Sequence, residues 1–361
     1  MSGNSHQKQA LNKEKLTGLA RQVGVDFGAA LTVALAFIGD RLGIFKAMSD
    51  GVSRTAAELA MRTGLNQRYL LEWASTMAAS GYIDYDAASE SFRLAPEQAL
   101  VLADEDNTFF GAGAFQYAVA CYRQIPKLSD AFRKGGGVPF SDFGPDIVQA
   151  IERLFQAGYR AWVASQWIPA VPDIHSRLKD GGDAAEVGCG AGQCLIPVAQ
   201  AFAKSRFTGF DVDSTSIARA REKAAKAGVT DRVTFEQIPA ENIPHRDRFD
   251  LAMAFNCIHD MAHPRDALAG IQRALKPGGV LLWSEADASG RLEDNLTPVG
   301  RTMYGASTMH CMTVSLAQNG DGLGVVIGED RAREMGLAAG FTSFRRLPLE
   351  NPYHQIFELR K

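Results

Sequence analysis

Apolar and polar positions alternate in two different ways along this chain. Over 28–48 the apolar residues Leu31, Val33, Leu35, Ile38, Leu42 and Phe45 recur at helical spacing, with Gly43 a modest interruption. Thr55 followed three residues later by Glu58 is a capping box, which predicts a helix over about 56–62 that Gly64 ends. Asn66 predicts the cap of a second helix running to about 80, with Tyr69, Leu70, Trp73, Met77 and Ala78 on its inner face. Residues 82–85 and 91–94 alternate as two strands around a polar turn. Helix, helix, hairpin predicts a winged helix-turn-helix. The pattern over 106–179 is mostly helical and rich in aromatics, with a flexible break at 135–139.

From about 170 the pattern changes to short apolar strands alternating with amphipathic helices. Strands are predicted over 183–187, 207–211, 233–238, 249–255 and 280–283, and later over 341–347 and 354–359. Helices are predicted over 193–204, on the apolar face of Leu195, Ile196, Val198 and Ala199, and over 328–339. Such alternation defines an α/β domain with a mostly parallel, Rossmann-like sheet. The chain has 361 residues, too many for one simple core, so two domains are expected.

The stretch between the first strand and its helix carries the chemistry. Gly188, Gly190 and Gly192 stand at alternate positions, a G-x-G-x-G turn in which absent Cβ atoms let a ligand lie against backbone. A dinucleotide fingerprint is G-x-G-x-x-G, and position 193 is Gln. Glu186, two residues before the first glycine, would repel a pyrophosphate and suits a ligand bearing an ammonium group. Asp211 ends the second strand, 23 residues beyond Gly188, where a carboxylate can accept both hydroxyls of a ribose. Asp213 begins the next helix as a cap.

Composition narrows the partners. Hydrophobic residues make up 46% and charged residues 22%, as in a soluble globular protein, and the net charge of −3 implies no polyanion. The winged module over 51–100 holds four basic residues against six acidic ones, which argues against phosphate-driven nucleic-acid binding. A dimerisation and substrate-closing role is expected for it instead. The longest apolar run, 27–38, has 12 residues and is shorter than the ~20 a membrane helix needs, so no membrane association is expected. The first residues are polar and lack a signal core. Five cysteines without a C-x-x-C fit free thiols in a reducing cytoplasm.

The glycine turn with its preceding acid, Asp211, and the turn Leu275-Lys276-Pro277-Gly278-Gly279 together resemble the class I S-adenosylmethionine (SAM) methyltransferases. The resemblance implies a seven-stranded sheet with its last strand antiparallel. It places Glu186, Gly188, Cys189, Gly190, Gly192, Asp211, Val212, Ala240, Glu241 and Asn256 around SAM. Family members often carry Asp-Ala where this chain has Pro239-Ala240, so adenine would be recognised by Ala240 backbone or Glu241. With the winged module, the whole resembles small-molecule O-methyltransferases whose N-terminal domain makes a homodimer. The implied partition is a flexible tail (1–20), a winged-helix dimerisation domain (21–103), a helical connector lining the acceptor site (104–170), and the SAM domain (171–361) with a lid insertion at about 288–325. Phe110, Phe115, Tyr117 and Tyr159 are the connector aromatics singled out as wall candidates. The implied partner is a small-molecule methyl acceptor.

His259 falls at the end of the fourth strand, where the methyl group would lie, and three readings of it stay open. It is a general base for a hydroxyl acceptor, as the His of a His-Asp-Trp is in O-methyltransferases; here the residues are His259, Asp260 and Met261. It is a metal ligand together with His310, 51 residues on, as in the similar α-keto acid C-methyltransferases, with iron, zinc or nickel as the metal. Or it only shapes the pocket. Asp260 would orient His259 or join the metal shell. The competing function class is a ligand-sensing regulator that kept the fold and lost catalysis.

Overall fold

The computed structural model describes residues 11–351 and 353–361, and they form two compact units. The first takes in the chain through Asp104 together with Phe109–Val119, and the second Glu105–Thr108 with Ala120–Lys361.

In the first unit a long helix, Lys13–Arg41, is capped by the Asn12 side chain on the Lys15 amide. It therefore starts inside the stretch expected as tail; the first ten residues lie outside the described residues. Gly43, at φ +69°, ends the pattern and opens the short helix Ile44–Met48. The Thr55–Glu58 capping box forms at the head of Ala56–Thr63, and Asn66 caps Gln67–Ala79. The wing pairs Asp84–Asp86 with Ser91–Arg93, and Arg54–Thr55 adds to its other edge. Trp73 is the keystone of this core. Its Nε1 donates to the Leu35 carbonyl at 2.9 Å, and its ring fills the space a Cβ on Gly39 would need.

One expectation about faces fails here, and the first helix shows an uneven burial of its apolar residues. Tyr69 is 80% exposed, because Leu70, Trp73, Ala74 and Met77 supply the buried face of its helix. Along Lys13–Arg41 the buried residues are Thr32, Ala36, Phe37 and Gly39, whereas Leu16, Leu19, Val23, Phe27, Leu31 and Ile38 are exposed. By length and composition this helix is also long and apolar enough to cross a membrane, which the uninterrupted run of 12 residues did not bring out.

In the second unit seven strands form one sheet: β1 (Asp183–Val187), β2 (Arg206–Asp211), β3 (Val233–Gln237), β4 (Phe249–Phe255), β5 (Leu275–Ala286), β6 (Ser343–Arg346) and β7 (His354–Arg360). Their order is β3-β2-β1-β4-β5-β7-β6, parallel except that β7 runs antiparallel to both neighbours. The strand order reverses beside β1, so the carboxyl ends of β1, β2 and β4 open on one crevice. Helices cover both faces, and β4 is buried along its whole length.

The elements differ from expectation mainly at their ends. The helix after the glycine turn is Leu195–Ala201, shorter than 193–204. The Leu275–Gly279 turn is a kink within β5, with Gly278 at φ +73° and a register shift against β4. More consequential, β5 continues past Trp283 to Ala286, which carries Glu285 into the carboxyl end of the sheet.

Candidate active site

A cavity of about 450 Å³ lies at the carboxyl ends of β1, β2 and β4. Its first half is built around the glycine turn. Gly188, Gly190 and Gly192 all have positive φ, so L side chains there would be strained. A Cβ on Gly188 would also meet Cys257 at 2.7 Å, since the loop after β4 closes over the turn. Gly188 and Gly190 line the cavity. Gly192 does not: its bare face meets Ile196 and Phe235, so this glycine serves packing rather than ligand contact.

Asp211 holds the turn from β2. One of its oxygens accepts from the Gly190 amide at 2.8 Å and the other from the Asp213 amide at 2.9 Å. Burial raises its pKa, and the two amides pull the other way. Both oxygens keep acceptor capacity toward the cavity. Val212, Ala240, Glu241 and Asn256 join this wall. Asp213 caps the following helix on the Ser216 amide, as expected.

Glu186 and Cys189 stand behind the wall, both buried. The Leu195 amide and the Cys194 thiol hydrogen-bond the Glu186 carboxyl, while Oε2 is left without a partner. Burial pushes this carboxyl up to about 8, which favours its protonated form at neutral pH.

The second half is assembled from distant segments. The connector gives Pro139, Phe140, Phe155 and Tyr159, the loop after β4 gives Asp260, Met261 and Ala262, and the inserted helix Met312–Ala317 gives Val314. Of the four connector aromatics singled out, only Tyr159 lines the cavity; Phe110, Phe115 and Tyr117 belong to the first unit. Asn256, at φ +52°, marks the junction: its Nδ2 donates to the Tyr159 hydroxyl and to His354 Nε2, both at 2.9 Å. Burial holds His354 neutral, its pKa lowered to about 4. In sequence His354 lies outside any motif; β7 alone brings it here.

His259 is buried and is not on the cavity wall, whereas Asp260 is. The carboxylate on the His259 ring is Glu285, on Nδ1, where Asp260 was expected. Trp283 Nε1 fixes the other Glu285 oxygen at 2.7 Å. Cys311 also hydrogen-bonds the His259 ring. Burial works against the charged imidazole, but the Glu285 carboxylate outweighs it and holds the His259 pKa well above the ordinary value. Burial pushes the Asp260 carboxyl up to about 6.

The donor atoms of His259, Asp260 and Cys311 lie within 4.8 Å of one another. His310 is not in that group. Its ring meets Phe140 and Phe143 edge-on, and its Nδ1 is 3.7 Å from Cys311 Sγ. Burial and the neighbouring His259 hold it neutral, down to about 3. Sequence reasoning missed Glu285, Cys311 and His354. Cys311 follows His310 directly, so only the twist of the π-helical turn Ser307–Cys311 decides which of the two meets His259.

Comparison with known proteins agrees with this architecture. Residues 178–340 match the methyltransferase domain family, and residues 29–104 match the Rv2258c-like winged HTH domain. A 27-O-demethylrifamycin SV methyltransferase of Amycolatopsis mediterranei is 34% identical over 105 residues, which is 29% of this chain and 38% of that protein. The chain thus spans well under half the length of that curated relative. Among solved structures, mitomycin 7-O-methyltransferase superposes with a TM-score of 0.72 at 18% identity over 97% of this chain and all of that one. Human N-acetylserotonin methyltransferase in complex with SAM gives 0.70 at 16% identity over all of this chain and 99% of that one. The fold is that of the class I SAM-dependent methyltransferases. More particularly, the matched regions place a winged helix-turn-helix before a methyltransferase domain.

Proposed function

We propose that this protein transfers the methyl group of SAM to a small-molecule acceptor. The observation that carries the reading is the single cavity with two unlike halves: a backbone-and-carboxylate half at Gly188, Gly190 and Asp211, and an aromatic and apolar half at Phe155, Tyr159, Met261 and Val314. The first half suits SAM. Asp211 would accept the ribose hydroxyls, and the α-ammonium charge would favour loss of the proton from Glu186 behind the wall. Ala240 and Glu241 would border the adenine. The sulfonium methyl would then face the second half. Transfer forms the bond from methyl to acceptor and breaks the bond to sulfur, and the acceptor loses a proton to the site or to solvent. Holding the two in line supplies much of the rate.

His259 does not suit the role of a base that touches the acceptor. Its Nδ1 is taken by Glu285, Cys311 bonds the ring, and the side chain is off the cavity wall. Its place among metal-ligating donors favours the metal reading, in a form that differs from the His259–His310 pair. The exposed stripe from Leu16 to Ile38 on the first helix suits a homodimer through the N-terminal domain.

The test is turnover. The full chain is incubated with SAM and panels of phenols, other acidic hydroxyls and oxygen-chelating acids, and S-adenosylhomocysteine is quantified. Acceptor-dependent product supports the proposal. Tight binding of SAM with no turnover on any panel would favour the sensing regulator. Sedimentation of wild type beside Leu19→Glu tests the dimer.

A further inference from the structure

We infer that His259, Asp260 and Cys311 bind a divalent transition-metal ion at the acceptor end of the cavity, with Glu285 and Trp283 fixing the histidine from behind. The site needs no cofactor to form, but its catalytic use rests on the methyl-transfer reading.

The first argument is the donor set. One imidazole, one carboxylate and one thiol have ligand atoms within 4.8 Å of one another. Ligands on a tetrahedral ion with bonds of about 2.0–2.3 Å stand roughly 3.3–3.8 Å apart, so closure asks for shifts of about an ångström or less. A mixed nitrogen, oxygen and sulfur set suits zinc, iron, cobalt or nickel rather than magnesium or calcium. Three protein ligands leave at least one position for water or substrate, the arrangement of catalytic rather than structural zinc sites. Asp260 is the ligand on the cavity wall, so the site borders the cavity.

The second argument is the support behind the ligands. Glu285 engages His259 Nδ1, which leaves Nε2 as the atom able to bind an ion. Trp283 then fixes Glu285. A carboxylate on the far nitrogen of a ligating histidine sets its tautomer and raises its basicity, and such partners accompany most metal-bound histidines.

The third argument is how the two ligand-bearing segments are joined. The turn Ile258–Asp260 and the insertion are far apart in sequence, yet backbone groups stitch them together. The Gly324 amide donates to the His259 carbonyl at 3.2 Å and the Asp321 amide to the Ala262 carbonyl at 2.9 Å. Ser315 Oγ donates to the Met261 carbonyl at 2.9 Å. Cys311 ends a π-helical turn, a costly local geometry often found at functional sites. The alternative is a metal-free buried chain in which the Cys311 thiol, His259 and Glu285 satisfy one another.

The experiment uses the full-length protein. Metal content is measured by mass spectrometry after purification and after loading with zinc, and apo protein is titrated with cobalt(II). The expected result is close to one metal per chain and a sulfur-to-cobalt charge-transfer band in the near ultraviolet. Cys311→Ser abolishes the band, Glu285→Gln weakens cobalt binding about 10–100-fold, and His310→Ala keeps the band. Circular dichroism and S-adenosylhomocysteine binding confirm that each variant is folded. The inference is overturned by a folded wild type that takes up no metal, or by a band that survives Cys311→Ser. A charge-transfer band in a protein that binds no S-adenosylhomocysteine would instead sink the methyl-transfer reading and leave the metal site standing.

Discussion

The two halves of the cavity are built on opposite plans. The cofactor half comes from neighbouring strands: the turn after β1 and the carboxylate ending β2 are hydrogen-bonded through Gly190 and Asp211, 21 residues apart. The acceptor half comes from the connector, the loop after β4 and the insertion, with the end of β5 and β7 packed behind its wall. In the first, sheet geometry alone brings the groups together. In the second, each group arrives by a different route, and tertiary contacts must hold it. The cofactor half should therefore yield to single-residue changes one contact at a time, whereas changes in the acceptor half should spread into stability.

The largest effect tests that directly. Glu285→Ala leaves His259 and Trp283 Nε1 without their carboxylate in a buried site, so unfolding free energy should fall by about 3 kcal/mol or more. Denaturant unfolding measures it. S-adenosylhomocysteine affinity in the folded fraction should change little; a large drop would show that the halves are energetically one unit.

Asp211→Asn comes next. It removes one acceptor oxygen from a carboxylate that already serves two amides, so S-adenosylhomocysteine should bind about 2 kcal/mol more weakly, roughly 30-fold. Calorimetry reads this, and an unchanged cobalt spectrum would keep the halves separate.

Glu186 gives the third test. With its pKa raised to about 8, ionising it at pH 7 costs about 1.4 kcal/mol. Cofactor binding at pH 7 should therefore release close to one proton, seen as heat that depends on the buffer, and Glu186→Gln should abolish the release. The sign for stability is opposite to that of a paired carboxylate. The folded state keeps a proton that the unfolded chain loses near its ordinary value, so this group destabilises the apo protein as pH rises from about 4.5 to 8. The cofactor's stabilisation in a thermal melt should widen over the same window.

The smallest effect concerns the junction. Asn256→Gly keeps the left-handed backbone and loses the bonds to Tyr159 and His354, at about 1 kcal/mol, while Asn256→Ala adds backbone strain of similar size. Equal losses in the two variants would mean that the conformation contributes nothing.

Local pattern determined much of this protein. The capping box at Thr55, the cap at Asn66, the glycine turn and the seven strands are short-range features, set by propensity and by period-two or helical repeats. They carried the winged helix, the sheet and the groups at Gly188, Gly190 and Asp211. What the pattern did not determine was which side of an element faces inward. Tyr69 sits at helical spacing with Trp73 yet points to solvent, and the apolar stripe of Lys13–Arg41 is largely uncovered within the chain. Nor did it determine partners across the fold. Asp260 adjoins His259 in sequence, but successive residues on a turn diverge, and the three residues by which β5 outruns its apolar stretch deliver Glu285 instead. Cys311, rather than His310, hydrogen-bonds the His259 ring for the same reason. Which residue meets another across about 50 positions depends on the packing of the insertion, a sum of many weak contacts that only the tertiary structure resolves.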